Sequence, residues 1–201
     1  MVEVFADIWC PFAYVGISRF FSARHESGSS VTLKVRAWPL ELVNGSPPDP
    51  VRLFREIDDL RRQVAPDLFS RVSLESFPST MLPALALESV AYQASGPVGE
   101  SVTMSLRRAL FEEGLDISEE SVLADVAQRH GLAMPDATSH KDLVEVDYSE
   151  GKKRGVKGSP QFFIDQEGYF CPTLNISAEA NHLRVSFDYV RFEEFLKRAF
   201  G

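Results

Sequence analysis

The sequence predicts an α/β domain interrupted by an all-helical insertion. Three observations carry this. A strand–helix–strand unit fills the first 38 residues; roughly a hundred residues of helical pattern follow with almost no strand signal; and strand signal returns near Gln161, ahead of a strongly amphipathic C-terminal helix. The sheet-forming ends must meet in space, so residues 1–45 and 152–201 are expected to form one domain and residues 46–151 an insertion into it.

Val2, Val4, Ala6 and Ile8 alternate with Glu3, Phe5, Asp7 and Trp9. Apolar residues on both faces predict a strand covered on both sides. Cys10-Pro11 breaks the pattern, and Pro11 suits a first helical position, where a missing N–H costs nothing. Ala13, Ile17, Phe20 and Phe21 then form the buried stripe of a helix. Gly28-Ser29-Ser30 ends it, and Val31 to Trp38 reads as a second strand, parallel to the first. Asn44 to Pro50 reads as a linker, with Asp49-Pro50 placed to cap a helix bearing Leu53, Phe54, Ile57 and Leu60. Further helices are expected around Leu85–Ala91 and over Val98–Phe111. Asp116 to Glu119 resembles a capping box for a helix that ends at Gly131, and another helix runs from about Ser139 to Arg154. Gln161–Asp165 and Tyr169–Cys171 predict a hairpin turning at Gln166–Gly168. His182–Tyr189 is a further alternating stretch, and Phe192, Phe195, Leu196, Ala199 and Phe200 mark the last helix.

The chain has 201 residues, 44% hydrophobic and 25% charged, which is ordinary for a globular protein and argues against disorder or a disulfide scaffold. A formal charge of −8 opposes binding to nucleic acid or to an anionic membrane. No apolar run is long enough to span a bilayer, and the first residues read as a strand rather than a secretory signal. With Cys10 and Cys171 as the only cysteines, the expectation is a cytoplasmic protein with reduced thiols.

Cys10 stands between a strand and the helix after it. The free N–H groups of a first helical turn, with the helix dipole, stabilise a thiolate and lower its pKa, so this placement predicts a reactive nucleophile. A small buried hydrophobe is an equally good account of the position alone. The surroundings favour the first: Trp9-Cys10-Pro11-Phe12-Ala13-Tyr14, preceded by Asp7 and followed by Gly16, resembles the active-site segment of the DsbA-like thioredoxin superfamily, in particular the FrnE-type oxidoreductases. Gly155-Val156-Lys157-Gly158-Ser159-Pro160 resembles that family's cis-proline loop, and Glu113–Ser118 with Val122-Leu123 and Gly131-Leu132 resembles the insertion helices of kappa-class glutathione transferases and 2-hydroxychromene-2-carboxylate isomerases. The resemblance spans essentially the whole chain and implies a thioredoxin fold with a helical insertion.

One departure bears on mechanism. The family's second cysteine falls at Ala13, which has no thiol to release a substrate held as a mixed disulfide. Three readings stay open. Cys10 acts as a monothiol in thiol–disulfide exchange, resolved by glutathione or another low-molecular-weight thiol. Alternatively, Cys10 stands where the isomerases and kappa transferases carry serine and orients a bound thiol cofactor. In the third reading the protein is a non-catalytic module that binds peptide beside Pro160. No tightly bound cofactor and no metal is expected, since the histidines lack ligand spacing. The expected partner is a thiol or disulfide substrate, small molecule or protein, and the resemblance adds a homodimer as a possibility.

The resemblance places Ser159 and Pro160 opposite Cys10, with Ser159 presenting its backbone to an extended peptide or thiol. Trp9, Pro11 and Phe12 complete the expected substrate-binding set, with Trp9 read as a surface contact and Phe12 as groove rim or core. Asp7 is expected to cap a backbone N–H, because a carboxylate facing Cys10 would raise the thiol pKa. Cys171 is expected to be a packed strand cysteine, with exchange with Cys10 conceivable only if their Cα atoms lie within ~7 Å. Lys152-Lys153-Arg154, beside Lys157, reads as the cationic last turn of a helix, or as a lure for an anionic thiol.

Overall fold

Strand β1 (Val2–Ala6) lies at the centre of the molecule, and both of its faces are covered. A computed structural model describes residues 1–75, 77–180 and 182–201. In it β1 pairs in parallel with β2 (Leu33–Ala37) and antiparallel with β3 (Gln161–Ile164), so that Val4 stands between Val35 and Phe162. β4 (Glu167–Phe170) pairs antiparallel with β3, giving a sheet ordered β2-β1-β3-β4. Helix α1 (Pro11–Ser27) makes the crossover from β1 to β2, and α8 (Tyr189–Phe200) ends the chain beside it. Val4, Ala13, Ile17, Phe20, Phe162 and Phe195 form the core on this side. Apart from the small Ala13, each of these fully buried side chains contributes about 1.5–3 kcal/mol of transfer free energy.

The opposite face of the sheet packs on α7 (His140–Lys153). Phe5, Trp38 and Phe163 form a second small core there, with Tyr148 of α7 against Trp38 at 5.2 Å between ring centres. Gly151 permits this approach: a Cβ at that position would stand 2.6 Å from the Trp38 ring. The alternation read from β1 is thus satisfied by two helices on one side and one on the other.

The chain between β2 and β3 is helical: α2 (Leu40–Asn44), α3 (Pro50–Gln63), α4 (Leu82–Ala94), α5 (Gly96–Phe111), α6 (Glu120–Arg129), a 3₁₀ turn at Ala137–Ser139, and α7. Asp49 caps α3 as its sequence predicts, accepting from the Val51 N–H at 3.0 Å. The Asp116–Glu119 reading is corrected. Asp116 accepts from the Ser118 N–H at 2.8 Å and closes a local turn, while α6 starts only at Glu120 with no side-chain cap from Glu119. An aspartate that finds its partner two residues on satisfies itself in the turn and is lost to the helix. α1 buries a second face against these helices. Tyr14 stacks on Phe111 at 5.1 Å, meets Phe69 edge-on, and donates its hydroxyl to Glu112 at 2.9 Å.

The region after β4 departs from the sequence reading. A separate hairpin forms from β5 (Leu174–Glu179) and β6 (His182–Phe187), where only the second strand carried a pattern. β5 reads Leu-Asn-Ile-Ser-Ala-Glu and exposes most of its residues, so it has little apolar alternation to detect. Side chains of α3 hold the hairpin: Asp59 accepts from Leu183 N–H at 2.8 Å, and Gln63 both accepts from Val185 N–H at 2.9 Å and donates to the Leu183 carbonyl at 2.8 Å. The outer edge of β2 is met likewise. Glu100 accepts from Leu33 N–H, Tyr92 donates to the Leu33 carbonyl, and Asp147 accepts from Ala37 N–H. Among the described residues, no helix is long and apolar enough to cross a membrane.

Gly151→Val forces a branched side chain into the Trp38 and Phe5 rings. Overpacking of this kind costs ~1–3 kcal/mol, which in a chain of this size lowers Tm by several degrees in a thermal melt. An unchanged Tm would show that α7 does not depend on this close approach.

Candidate active site

Cys10 is the N-cap of α1, with extended backbone and Pro11 following at the first helical position. Its thiol donates to the Ser159 carbonyl at 3.1 Å. Ser159 precedes Pro160, the Ser159–Pro160 peptide is cis, and Pro160 leads directly into β3. The structure therefore brings Cys10, Ser159 and Pro160 together across some 150 residues of chain. Ser159 also meets β1: the Asp7 N–H donates to its hydroxyl at 3.0 Å.

Asp7 is fully buried and its carboxylate holds two other segments. One oxygen accepts from Trp9 N–H at 3.1 Å and the other from Leu40 N–H at 2.6 Å. Capping is thus the role the structure gives it. Burial pushes its pKa up to about 7; the Leu40 and Trp9 N–H groups pull it down, and Glu41 adds to the rise.

The expectation of an open thiolate at Cys10 is overturned. The residue is only 4% exposed, and burial pushes the thiol up to about 12, from an ordinary value of 9.0. The Ser159 side chain and the Ala13 N–H at the helix start pull the other way; Cys171 and Asp7 reinforce the rise. The magnitudes explain the outcome. A helix terminus contributes ~0.3–1 kcal/mol, whereas desolvating a charge shifts a pKa by up to 3–5 units, each worth about 1.4 kcal/mol. Cys10 rests as a protonated thiol that donates a hydrogen bond.

Trp9 is also corrected. Instead of lying at the surface it is fully buried, its ring stacked parallel to Phe77 at 6.1 Å and packed into the core of the helical segment. The Asp7–Trp9 hydrogen bond and the Cys10 N–H to Asp7 carbonyl bond tighten the chain after β1 and turn this ring inward. Pro11 is buried in the first turn, and Phe12 is half-buried between the two principal cores. Phe77 comes from the irregular stretch between α3 and α4, whose sequence carried no periodic signal. Cys171 lies just past the end of β4 rather than in it, with φ of 41°, which corrects the reading of a strand cysteine; its N–H donates to the Pro160 carbonyl at 3.0 Å. Its thiol is buried and pushed up to about 11, with Arg191 pulling it down. In the basic cluster, Arg154 is engaged by Glu3 and covers the Phe163 ring, leaving Lys153 and Lys157 without an ion pair among the described residues. No group of three or more metal-ligating side chains occurs among the described residues.

Asp7 gives a pH dependence with a definite sign. Its folded pKa is raised, so its contribution to stability is present in full below 3.8 and is lost as pH climbs through about 7. Asp7→Asn has no such loss. Its Tm relative to the unsubstituted protein should therefore move in favour of asparagine as pH rises from 4 to 8; a pH-independent difference would contradict the burial assigned to this carboxyl.

The profile of the DSBA-like thioredoxin domain matches residues 1–184. Among curated proteins no match is found. Among solved structures, a probable DsbA oxidoreductase from Streptomyces coelicolor is 20% identical with a TM-score of 0.62, covering 84% of this chain and 82% of its own. A 2-hydroxychromene-2-carboxylate isomerase is 19% identical at 0.60, with 84% and 87% covered. The cytosolic disulfide reductase DsbM from Pseudomonas aeruginosa, solved with glutathione, is 17% identical at 0.58, with 99% and 96% covered. At these identities the structural likeness speaks for the thioredoxin-like architecture alone. The match over residues 1–184 goes further: the chain belongs to the DSBA-like thioredoxin domain family.

Proposed function

We propose that this protein is a thiol–disulfide oxidoreductase in which Cys10 is the attacking sulfur. The observation that supports this is the contact of the Cys10 thiol with Ser159 at the start of α1, 3.1 Å from a backbone that can pair with an extended substrate. In the first step the Cys10 sulfur attacks one sulfur of a substrate disulfide. A Cys10–substrate mixed disulfide forms, the substrate S–S bond breaks, and the displaced sulfur leaves with the proton that Cys10 gives up. Ala13 supplies no thiol, so release falls to a second thiol. A low-molecular-weight thiol such as glutathione serves: its sulfur attacks the substrate sulfur, and Cys10 leaves as the free thiol.

The residues present fit such a molecule. Ser159 and half-buried Phe12 would meet its cysteinyl part, and exposed Lys157, two residues before Ser159, would offer a cation to its carboxylates. A disulfide reductase solved with glutathione among the structural neighbours is consistent with this.

A second reading has its own support. A protonated thiol that donates a hydrogen bond can hold a cofactor thiolate much as a serine hydroxyl would. In this reading the protein is a glutathione-dependent isomerase or transferase, and Cys10 makes no covalent bond.

Mass spectrometry after incubation with oxidised glutathione separates the two. The oxidoreductase reading expects a glutathione adduct on Cys10 that is absent from Cys10→Ser. Its rate should climb with pH beyond the ordinary thiol value of 9.0 without levelling off, because burial pushes the thiol up to about 12. No adduct on Cys10 at any pH, together with full isomerase or transferase activity in Cys10→Ser, would establish the second reading instead.

A further inference from the structure

A cleft of about 590 Å³ opens between α1 and α5, bordered by Tyr14, Ser18, Ser22 and His25 from the first helix and by Met104 and Arg108 from the second. A cavity of about 360 Å³ beside it reaches His130 at the end of α6, and Phe21, Met104 and Arg108 border both. Volumes of this order suit a small molecule. The Arg24–Glu100 ion pair ties the two helices near one end, and the hydrogen bond from the Tyr14 hydroxyl to Glu112 ties them near the other. Neither Cys10 nor Ser159 borders the cleft. Ser18 lies eight residues beyond Cys10, about 12 Å along the helix axis.

Most polar groups around the cleft are already matched. Arg19 donates two hydrogen bonds to Asp67, at 2.8 and 2.6 Å, and Arg24 donates two to Glu100, at 2.7 and 2.9 Å. The Glu112 carboxylate accepts from the Tyr14 hydroxyl, from the Phe69 and Ser70 N–H groups and from the Ser70 hydroxyl. Ser105 and His130 satisfy each other at 2.9 Å. Arg108 is the exception: it is exposed, and among the described residues its guanidinium has neither an ion pair nor a hydrogen bond. The Ser18 hydroxyl is shielded from solvent and also lacks a partner; a hydroxyl left unmet in the wall of a cleft is one that a bound molecule can satisfy. Beside these groups lie half-buried Phe21 and Met104, an apolar surface whose thioether adapts to a ring or a chain.

We propose that this cleft binds a small monocarboxylate with an apolar body, its carboxylate on Arg108 and its body along Phe21 and Met104. An uncommitted guanidinium fork matches the two oxygens of a carboxylate. A single negative charge is favoured over a double one, because Asp67, Glu100 and Glu112 stand around the same opening and would repel the second. The site lies on the flank of α1, whose start carries the thiol, and it stands whichever chemistry Cys10 performs.

The test titrates the protein, its methionine methyl groups labelled for NMR, with hydrocinnamate and separately with hydrocinnamyl alcohol, the uncharged counterpart. The chain has four methionines, Met1, Met81, Met104 and Met134, so a single resonance reports on the cleft. The expected result is a saturable shift of the Met104 signal with the carboxylate, while the other three stay in place. The alcohol should bind more weakly by about tenfold or more, and Arg108→Gln should weaken the carboxylate to a similar degree. A Met104 signal that does not move at millimolar carboxylate would overturn the site. Equal binding of acid and alcohol would overturn the proposal as well, since Arg108 would then recognise no charge. That comparison is made in the unsubstituted protein, so it does not depend on the variant folding.

Discussion

The Asp7 carboxylate is the constraint on which the site depends. It sits at the end of the central strand, and its two oxygens hold the chain that turns into α1 and the chain that leaves β2. Its own N–H reaches the hydroxyl of Ser159, from a segment some 150 residues away. Three stretches that meet nowhere else in sequence are thus fixed by one residue, and Cys10 takes its position from that junction. Burying an acid costs free energy unless hydrogen bonds compensate, and the two N–H donors do so only in part, which is why its pKa rises. The same burial that orders the junction keeps the neighbouring sulfur protonated.

That outcome marks the limit of what the sequence disclosed. Residue periodicity located β1, α1, β2, the helices from α3 to α7, β3 and α8, because each of these packs an apolar face whose spacing is written locally. Cys10, Ser159 and Pro160 were recognisable as partners through motif resemblance. The protonation state of Cys10 was not recognisable, since it follows from burial, and burial is set by which distant segments close over the residue. Helix termini are visible in a sequence; the exclusion of water above them is a tertiary property. For the same reason β5 went unseen: it is held by its partner strand and by α3 through β6, with little apolar signal of its own.

A protonated cysteine at a helix start differs in kind from an ionised one. It is a hydrogen-bond donor at rest and a nucleophile only when it sheds its proton, so its reactivity is tied to what approaches Ser159 and replaces the bond made there. Low reactivity toward small electrophiles and reaction with a bound disulfide are compatible in such an arrangement, because binding supplies proximity that free solution lacks.

The helices that interrupt the α/β domain also solve a problem of sheets. Strands at a border expose backbone groups that recruit strands from other chains. Along β2 these groups meet Glu100, Tyr92 and Asp147, and along β6 they meet Asp59 and Gln63. Helical side chains here imitate the neighbouring strand that each border lacks. Strand-by-strand polymerisation from those two sides is thereby blocked, and any such growth is confined to β4 and β5.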